Sequence, residues 1–106
     1  MAWIYLIAAG FCEIGWPVGL KWAQEPRKLI IGVLVAVGCM AVSGLLLYLA
    51  QREIALGTAY AVWTGIGAAG TLLMGVWLFG ETLSPTKIAG IVLVMSGIVA
   101  LKLAPA

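Results

Sequence analysis

The chain has 106 residues, of which 64% are hydrophobic and 9% are charged, and its formal net charge is +2. A soluble domain is roughly 45–50% apolar and about 25% charged, so this composition excludes a soluble fold and predicts a protein of the lipid bilayer. The positive charge is too small and too scattered to indicate a nucleic-acid partner.

Charged residues divide the chain into four apolar segments, each long enough for a membrane-spanning helix of about 20 residues. The predicted helices cover about residues 3–21, 29–50, 54–80 and 85–103. The first segment lacks a basic amino-terminal region, so we expect a retained span and not a signal peptide. Open sheets cannot span lipid, and no alternating pattern indicates a barrel. The predicted fold is therefore an all-α membrane protein, with residues 1–106 in a single four-helix transmembrane domain.

The first segment carries Glu13, the only ionisable side chain deep within a predicted span. A charge at mid-bilayer costs about 2.5–3.5 kcal/mol on insertion scales, so an intramembrane carboxylate indicates a binding site or a proton path. The alternative is a protonated Glu13 with a purely structural hydrogen bond. Its helical face also holds Gly10, Trp16 and Pro17. Because Gly10 lacks bulk, we expect the carboxylate to face open space.

The second and third segments add polar and aromatic groups to this environment. Ser43 lies in the otherwise apolar second segment. One face of the third segment holds Tyr60, Trp63, Thr64, Gly67 and Thr71. A carboxylate near aromatic rings and hydroxyls suits an organic cation, because ring faces attract cations and hydroxyls orient both groups.

Two features of the sequence predict movement near Glu13. Pro17 removes the helical hydrogen bond to the carbonyl of Glu13, so we expect a kink in the first helix. Gly65, Gly67 and Gly70 soften the middle of the third helix and predict a hinge.

The fourth segment carries a row of small residues. Gly90 and Gly97 are spaced by two helical turns, with Ala89 and Ser96 beside them. Small residues allow close backbone approach between helices in lipid, so this row predicts a dimer seam. Packing within the protomer is the alternative.

The charges of the connections give little preference for one orientation in the membrane. Lys21, Arg27, Lys28 and Lys87 lie on one side, and Arg52, Lys102 and the amino terminus lie on the other. Basic residues favour the cytoplasmic side. The sequence therefore predicts either a weakly fixed topology or insertion in both directions.

No catalytic or metal-binding group is indicated. The chain has no His, and Cys12 and Cys39 lie far apart on apolar runs. Without a nucleophile–base pair or clustered ligands, we expect no enzyme, no cofactor and no metal site.

The stretches "AAGFCEIGWPVGLK" and "GTAYAVWTGIGAAG", with Gly90 and Gly97, resemble the small multidrug resistance family of transporters along essentially the whole chain. Trp16 and "WTGIGA" resemble its guanidinium-exporter subtype. Pro17 and Gly15 depart from that subtype, which mostly has a small residue and a β-branched residue at these positions. Both flank Trp16 and bear on the choice of substrate.

The resemblance implies an antiparallel, dual-topology homodimer in the bacterial inner membrane, which exports cations by proton-coupled exchange. Glu13 would bind substrate and protons. Ser43 and Trp16 would hydrogen-bond to Glu13 or brace it, Tyr60 and Trp63 would line the pocket, and residues 65–67 would form the bend.

Three functions remain open from the sequence. The first is proton-coupled export of guanidinium or substituted guanidinium ions. The second is export of quaternary ammonium and other lipophilic cations by the same machinery. The third is a structural or accessory membrane subunit, against which Glu13 argues because a scaffold gains nothing from its charge.

Overall fold

The computed structural model describes residues 1–105 and consists of four long helices joined by short connections. The helices are α1 (Ala2–Trp22), α2 (Leu29–Ala50), α3 (Leu56–Phe79) and α4 (Pro85–Leu103). Each is long and apolar enough to cross a membrane, and residues 1–105 contain no β-strand. The predicted all-α membrane fold is confirmed.

The ends of α3 lie one or two residues inside the predicted range of 54–80. At the start, the N–H of Ile54 still donates to the carbonyl of Ala50 and belongs to the turn that follows α2. At the other end, Gly80 has a φ of 67°, a left-handed conformation that favours glycine and ends the helix. The N–H of Glu81 then donates to the carbonyl of Gly75 at 3.2 Å. The chain therefore folds back over the last turn of α3.

The helices form a thin layer with α1 in the middle. α1 packs against α2 on one side and α3 on the other, whereas α2 and α3 touch each other only sparsely. α4 packs mainly against α3. The chain measures 48 × 34 × 17 Å. A helix with its side chains is about 10–12 Å across, so one protomer is less than two helices thick.

Glycines bring α1 and α2 into backbone contact. A Cβ atom on Gly19 would lie 2.7 Å from the carbonyl oxygen of Gly32, and one on Gly32 would lie 2.5 Å from that of Gly19. Gly15 likewise makes room for the thiol of Cys39. Gly15 and Gly19 are four residues apart, as are Gly32 and Ala36. This spacing of small residues is typical of close helix pairs in membranes.

Little of the apolar surface is buried within the chain. The buried cluster lies where α1, α2 and α3 meet near Ala50, and its members are Ala2, Leu6, Ala50, Ile54, Ala59 and Val62. α4 has no buried residue. The exposed apolar faces suit lipid or another membrane helix, since lipid tails are as apolar as these side chains.

Candidate functional site

Glu13 and Trp16 form a hydrogen-bonded pair on one face of α1. The indole Nε1 of Trp16 donates to Oε1 of Glu13 at 2.6 Å. Residues three apart on a helix are neighbours, so the pair needs no other helix to form it. A donor to a carboxylate makes a short, strong bond. The bond fixes one oxygen of Glu13 and leaves Oε2 for another partner.

Glu13 lies against Gly67 of α3. A Cβ atom on Gly67 would be 2.5 Å from Cγ of Glu13, so no larger residue fits without moving the carboxylate. Gly67 is buried within an uninterrupted helix. Its contact with Glu13 gives this glycine a packing role, and the hinge at Gly65 and Gly67 stays a prediction.

A cavity of about 330 Å³ opens between α1 and α3 beside the carboxylate. Its lining consists of Glu13, Pro17, Thr64, Gly67, Ala68 and Thr71. The hydroxyl of Thr64 donates to the carbonyl of Tyr60 at 2.7 Å, so its oxygen keeps lone pairs that can accept a bond from a ligand. Pro17 forms part of the wall and has no N–H to offer the carbonyl of Glu13.

Ser43 and Trp63 belong to a separate hydrogen-bonded chain. The indole of Trp63 donates to the hydroxyl of Ser43 at 2.8 Å, and that hydroxyl donates to the carbonyl of Ala9 at 2.7 Å. Ser43 is fully buried, so these bonds satisfy a hydroxyl that has no access to water. The chain ties α3, α2 and α1 together. In this structure Ser43 bonds to Ala9 and Trp63, and Glu13 bonds to Trp16.

The ring of Tyr60 packs next to that of Trp63. The two rings have centroids 5.5 Å apart and are tilted by 48°. Tyr60 is 55% exposed, so it faces outward from the protomer. Its place in a binding pocket, like that of Trp63, stays a prediction that a second protomer would have to complete.

Gly10 does not open space beside Glu13. Gly10 is buried, and the side chain of Ile66 fills the room that its missing side chain leaves. The expectation from the helical wheel was wrong at this point, because the wheel shows the face of one helix but not what the next helix places there. The open space near the carboxylate lies beside Pro17 and Gly67.

Gly90 and Gly97 lie on an open face of α4. Both are exposed, and a Cβ atom on either would meet no atom within 4 Å. Packing within the protomer therefore does not explain them. Their role as a dimer seam stays a prediction.

The sequence reasoning missed two features near this site. The first is the α1–α2 contact through Gly19 and Gly32, for which the four-residue spacing of small residues was an available signal. The second is a further cavity of about 390 Å³ that shares Pro17 and Thr71 with the first and reaches Lys21 and Glu81. No local motif marks this second cavity, since it depends on how α1 and α3 pack.

Comparison with known proteins gives consistent results. Residues 1–94 match the family described as Small Multidrug Resistance protein. The "Guanidinium exporter" of Yersinia pseudotuberculosis serotype I (strain IP32953) is 45% identical over 104 residues, which cover 98% of this chain and 99% of the relative. The "Guanidinium exporter" of Escherichia coli (strain K12) is 45% identical over 103 residues, which cover 97% of each chain. The protein of the same name from Citrobacter freundii is 42% identical over 103 residues, which also cover 97% of each.

The predicted resemblance is confirmed, as is the expectation that the chain is not an enzyme, since these relatives are named as exporters. Four apolar helices make the protein a multi-pass membrane protein. A family match over most of its length, with relatives aligned almost end to end, shows that the chain belongs to the small multidrug resistance family.

Proposed function

We propose that this protein exports guanidinium or substituted guanidinium ions across the bacterial inner membrane in exchange for protons, with Glu13 binding each in turn. Relatives named as guanidinium exporters, 45% identical over nearly the whole chain, support the substrate class. The observation that carries the proposal is the Glu13–Trp16 pair beside a cavity between α1 and α3.

The chemistry of this cavity suits a guanidinium ion. Guanidinium is planar, weakly hydrated and able to donate two parallel N–H bonds to a carboxylate. Oε2 of Glu13 and the free lone pairs of Oε1 can accept such bonds. Thr64 and Thr71 line the same cavity, and a threonine hydroxyl oxygen can accept a bond from the remaining N–H groups.

Exchange follows from competition for one carboxylate. A protonated Glu13 is neutral and holds no cation, whereas an ionised Glu13 in an apolar span is stabilised by binding one. Each ligand therefore displaces the other. If the site opens to one side of the membrane at a time, a proton gradient drives the cation outward.

A homodimer completes the proposal. One protomer is only 17 Å thick, which leaves no room for an enclosed path, and its cavity beside Glu13 is open. An antiparallel pair would place two Glu13 side chains around a shared pocket. The near balance of basic residues on the two sides supports insertion in both directions.

A specific observation also supports the second candidate, export of quaternary ammonium and other lipophilic cations. An apolar cavity of about 360 Å³ lies on the other side of Trp16, between α1 and α2. Its lining consists of Trp16, Leu20, Val33, Ala36, Val37, Met40 and Ala41. Such a wall can hold the alkyl arm of a cation whose charged end lies at Glu13.

Transport into proteoliposomes tests the proposal. With an imposed pH gradient, we expect wild-type protein to move guanidinium, and Glu13→Gln to abolish coupled movement of both protons and cation. Glu25→Gln is the matched control, because Glu25 lies in an exposed connection where it pairs with Lys28. Coupled transport by Glu13→Gln would contradict the proposal. Faster transport of a tetraalkylammonium than of guanidinium would favour the second candidate.

A further inference from the structure

A second carboxylate lies at the far end of the groove that contains Glu13. The cavity beside Glu13 and the larger one beyond it both have Pro17 and Thr71 in their linings, so they are adjacent between α1 and α3, and we call the two together the groove. Its outer part is lined by Lys21, Phe79 and Glu81, among others, and has a volume of about 390 Å³. The distance along the axis of α1 from residue 13 to residue 21 is about 12 Å, so the groove extends over about this length.

The fold holds Glu81 over this groove. The left-handed turn at Gly80 reverses the chain, and the backbone bond from Glu81 to Gly75 fixes the reversal. The side chain then lies on Gly75, where a Cβ atom would be 2.5 Å from Oε1 of Glu81. Gly75 is buried, and its missing side chain leaves room for this carboxylate at the groove wall.

The position of Glu81 is electrostatically unfavourable for the helix. The last carbonyls of α3 carry partial negative charge, so a carboxylate near this end is repelled by the helix. Residues 1–105 contain one salt bridge between side chains, which joins Lys28 to Glu25. Glu81 therefore forms no salt bridge, even though Lys21 lines the same cavity. A carboxylate in such a place, facing a groove and lacking a fixed cationic partner, is free to attract a mobile cation.

We propose that Glu81 is the outer cation contact of the transport path, where a guanidinium ion is held before it moves along the groove to Glu13. This inference rests on the proposed function. Glu81 acts by its charge, so it raises the local concentration of the cation and leaves the exchange at Glu13 unchanged. Loss of the charge should weaken capture without slowing turnover at saturation.

The test compares Glu81→Gln with Glu25→Gln in guanidinium transport. Both variants remove one carboxylate from connections on the same side of the four-helix layer, but Glu25 lies outside the groove and pairs with Lys28. We expect Glu81→Gln to raise KM for guanidinium roughly two- to fivefold, the range for one partly solvated charge, with maximal rate unchanged. Glu81→Asp should recover most of the loss, and Glu25→Gln should match wild type.

Ionic strength separates an electrostatic role from a structural one. The KM difference should be largest near 0.01 M salt, where the Debye length is about 30 Å, and should vanish near 1 M, where it is about 3 Å. Equal KM values at low salt, an equal change in Glu25→Gln, or a lower maximal rate that salt does not affect would each overturn the inference.

The two proposals fail in different ways. If wild-type protein does not move guanidinium, or if Glu13→Gln remains coupled, the proposed function falls and this inference falls with it. If wild type and Glu13→Gln behave as expected while Glu81→Gln equals wild type, only the role of Glu81 is refuted.

Discussion

At the scale of single residues, the site depends on a hydrogen bond to Glu13 and on a glycine whose missing side chain leaves room for that carboxylate. Glu13 obtains one bond from Trp16, a neighbour on its own helix, and its room from Gly67, a glycine on another. The first relation follows from helical spacing and was within reach of the sequence. The second was not, since the sequence gives Gly67 a place on α3 but does not say which side chain of α1 lies opposite.

Gly67→Ala tests this packing. The added methyl group would overlap Cγ of Glu13, and we expect the carboxylate to shift and its bond to Trp16 to break. Because the geometry of a binding carboxylate strongly affects the rate, a shift of Glu13 should lower transport about tenfold. Gly38→Ala is the matched control, because a Cβ atom there meets no atom within 4 Å. Equal transport by the two variants in proteoliposomes would show that Glu13 does not need the space at Gly67.

At the scale of helices, α1 carries Glu13, Trp16 and Pro17, and its neighbours shape the space around them. The number and type of helices were predictable, because apolar length alone determines both. The partners between helices were not. Ser43 bonds to Ala9 and Trp63, and Ile66 fills the place of Gly10, because side chains from different helices meet only after packing sets their rotation and depth.

Pro17 affects both the shape of α1 and the width of the groove. It borders both cavities of the groove, and it leaves the carbonyl of Glu13 without a helical donor. Pro17→Ala restores that bond, so we expect a straighter α1 and a narrower groove. Transport of substituted guanidines should fall more than that of guanidinium, by about 1–2 kcal/mol or one decade in relative rate.

A panel of guanidines of increasing size measures this effect, with relative rates taken from competition in the same vesicles. The size dependence is the informative result, because a general folding defect lowers all rates together. If small and bulky cations lose transport equally, Pro17 does not set the width of the groove.

At the scale of the whole molecule, α4 presents a large apolar face with nothing against it. Gly90 and Gly97 lie on that face in open space. We expect Gly90→Leu or Gly97→Leu to separate the helices of a dimer and to increase the monomer fraction in detergent. Gly44→Leu, on an exposed position of α2, is the control for adding a bulky apolar group. Light scattering of the detergent-solubilised protein measures the state, and unchanged dimer content in both α4 variants would place the seam elsewhere.

The central position of α1 has a consequence for the tolerance of the chain to mutation. α1 packs against α2 and α3, α3 packs against α1 and α4, and α2 packs mainly against α1. α4 has no buried residue, so substitutions on its outer face change no packing within the chain. Substitutions on different faces of α1 therefore affect different neighbours. Gly15 and Gly19 make close contacts with α2, and Glu13 and Ile14 make close contacts with α3, so these four positions of α1 leave little room for a different side chain. During sequence drift, these four positions should therefore change slowly for steric reasons alone, before any requirement of transport is added.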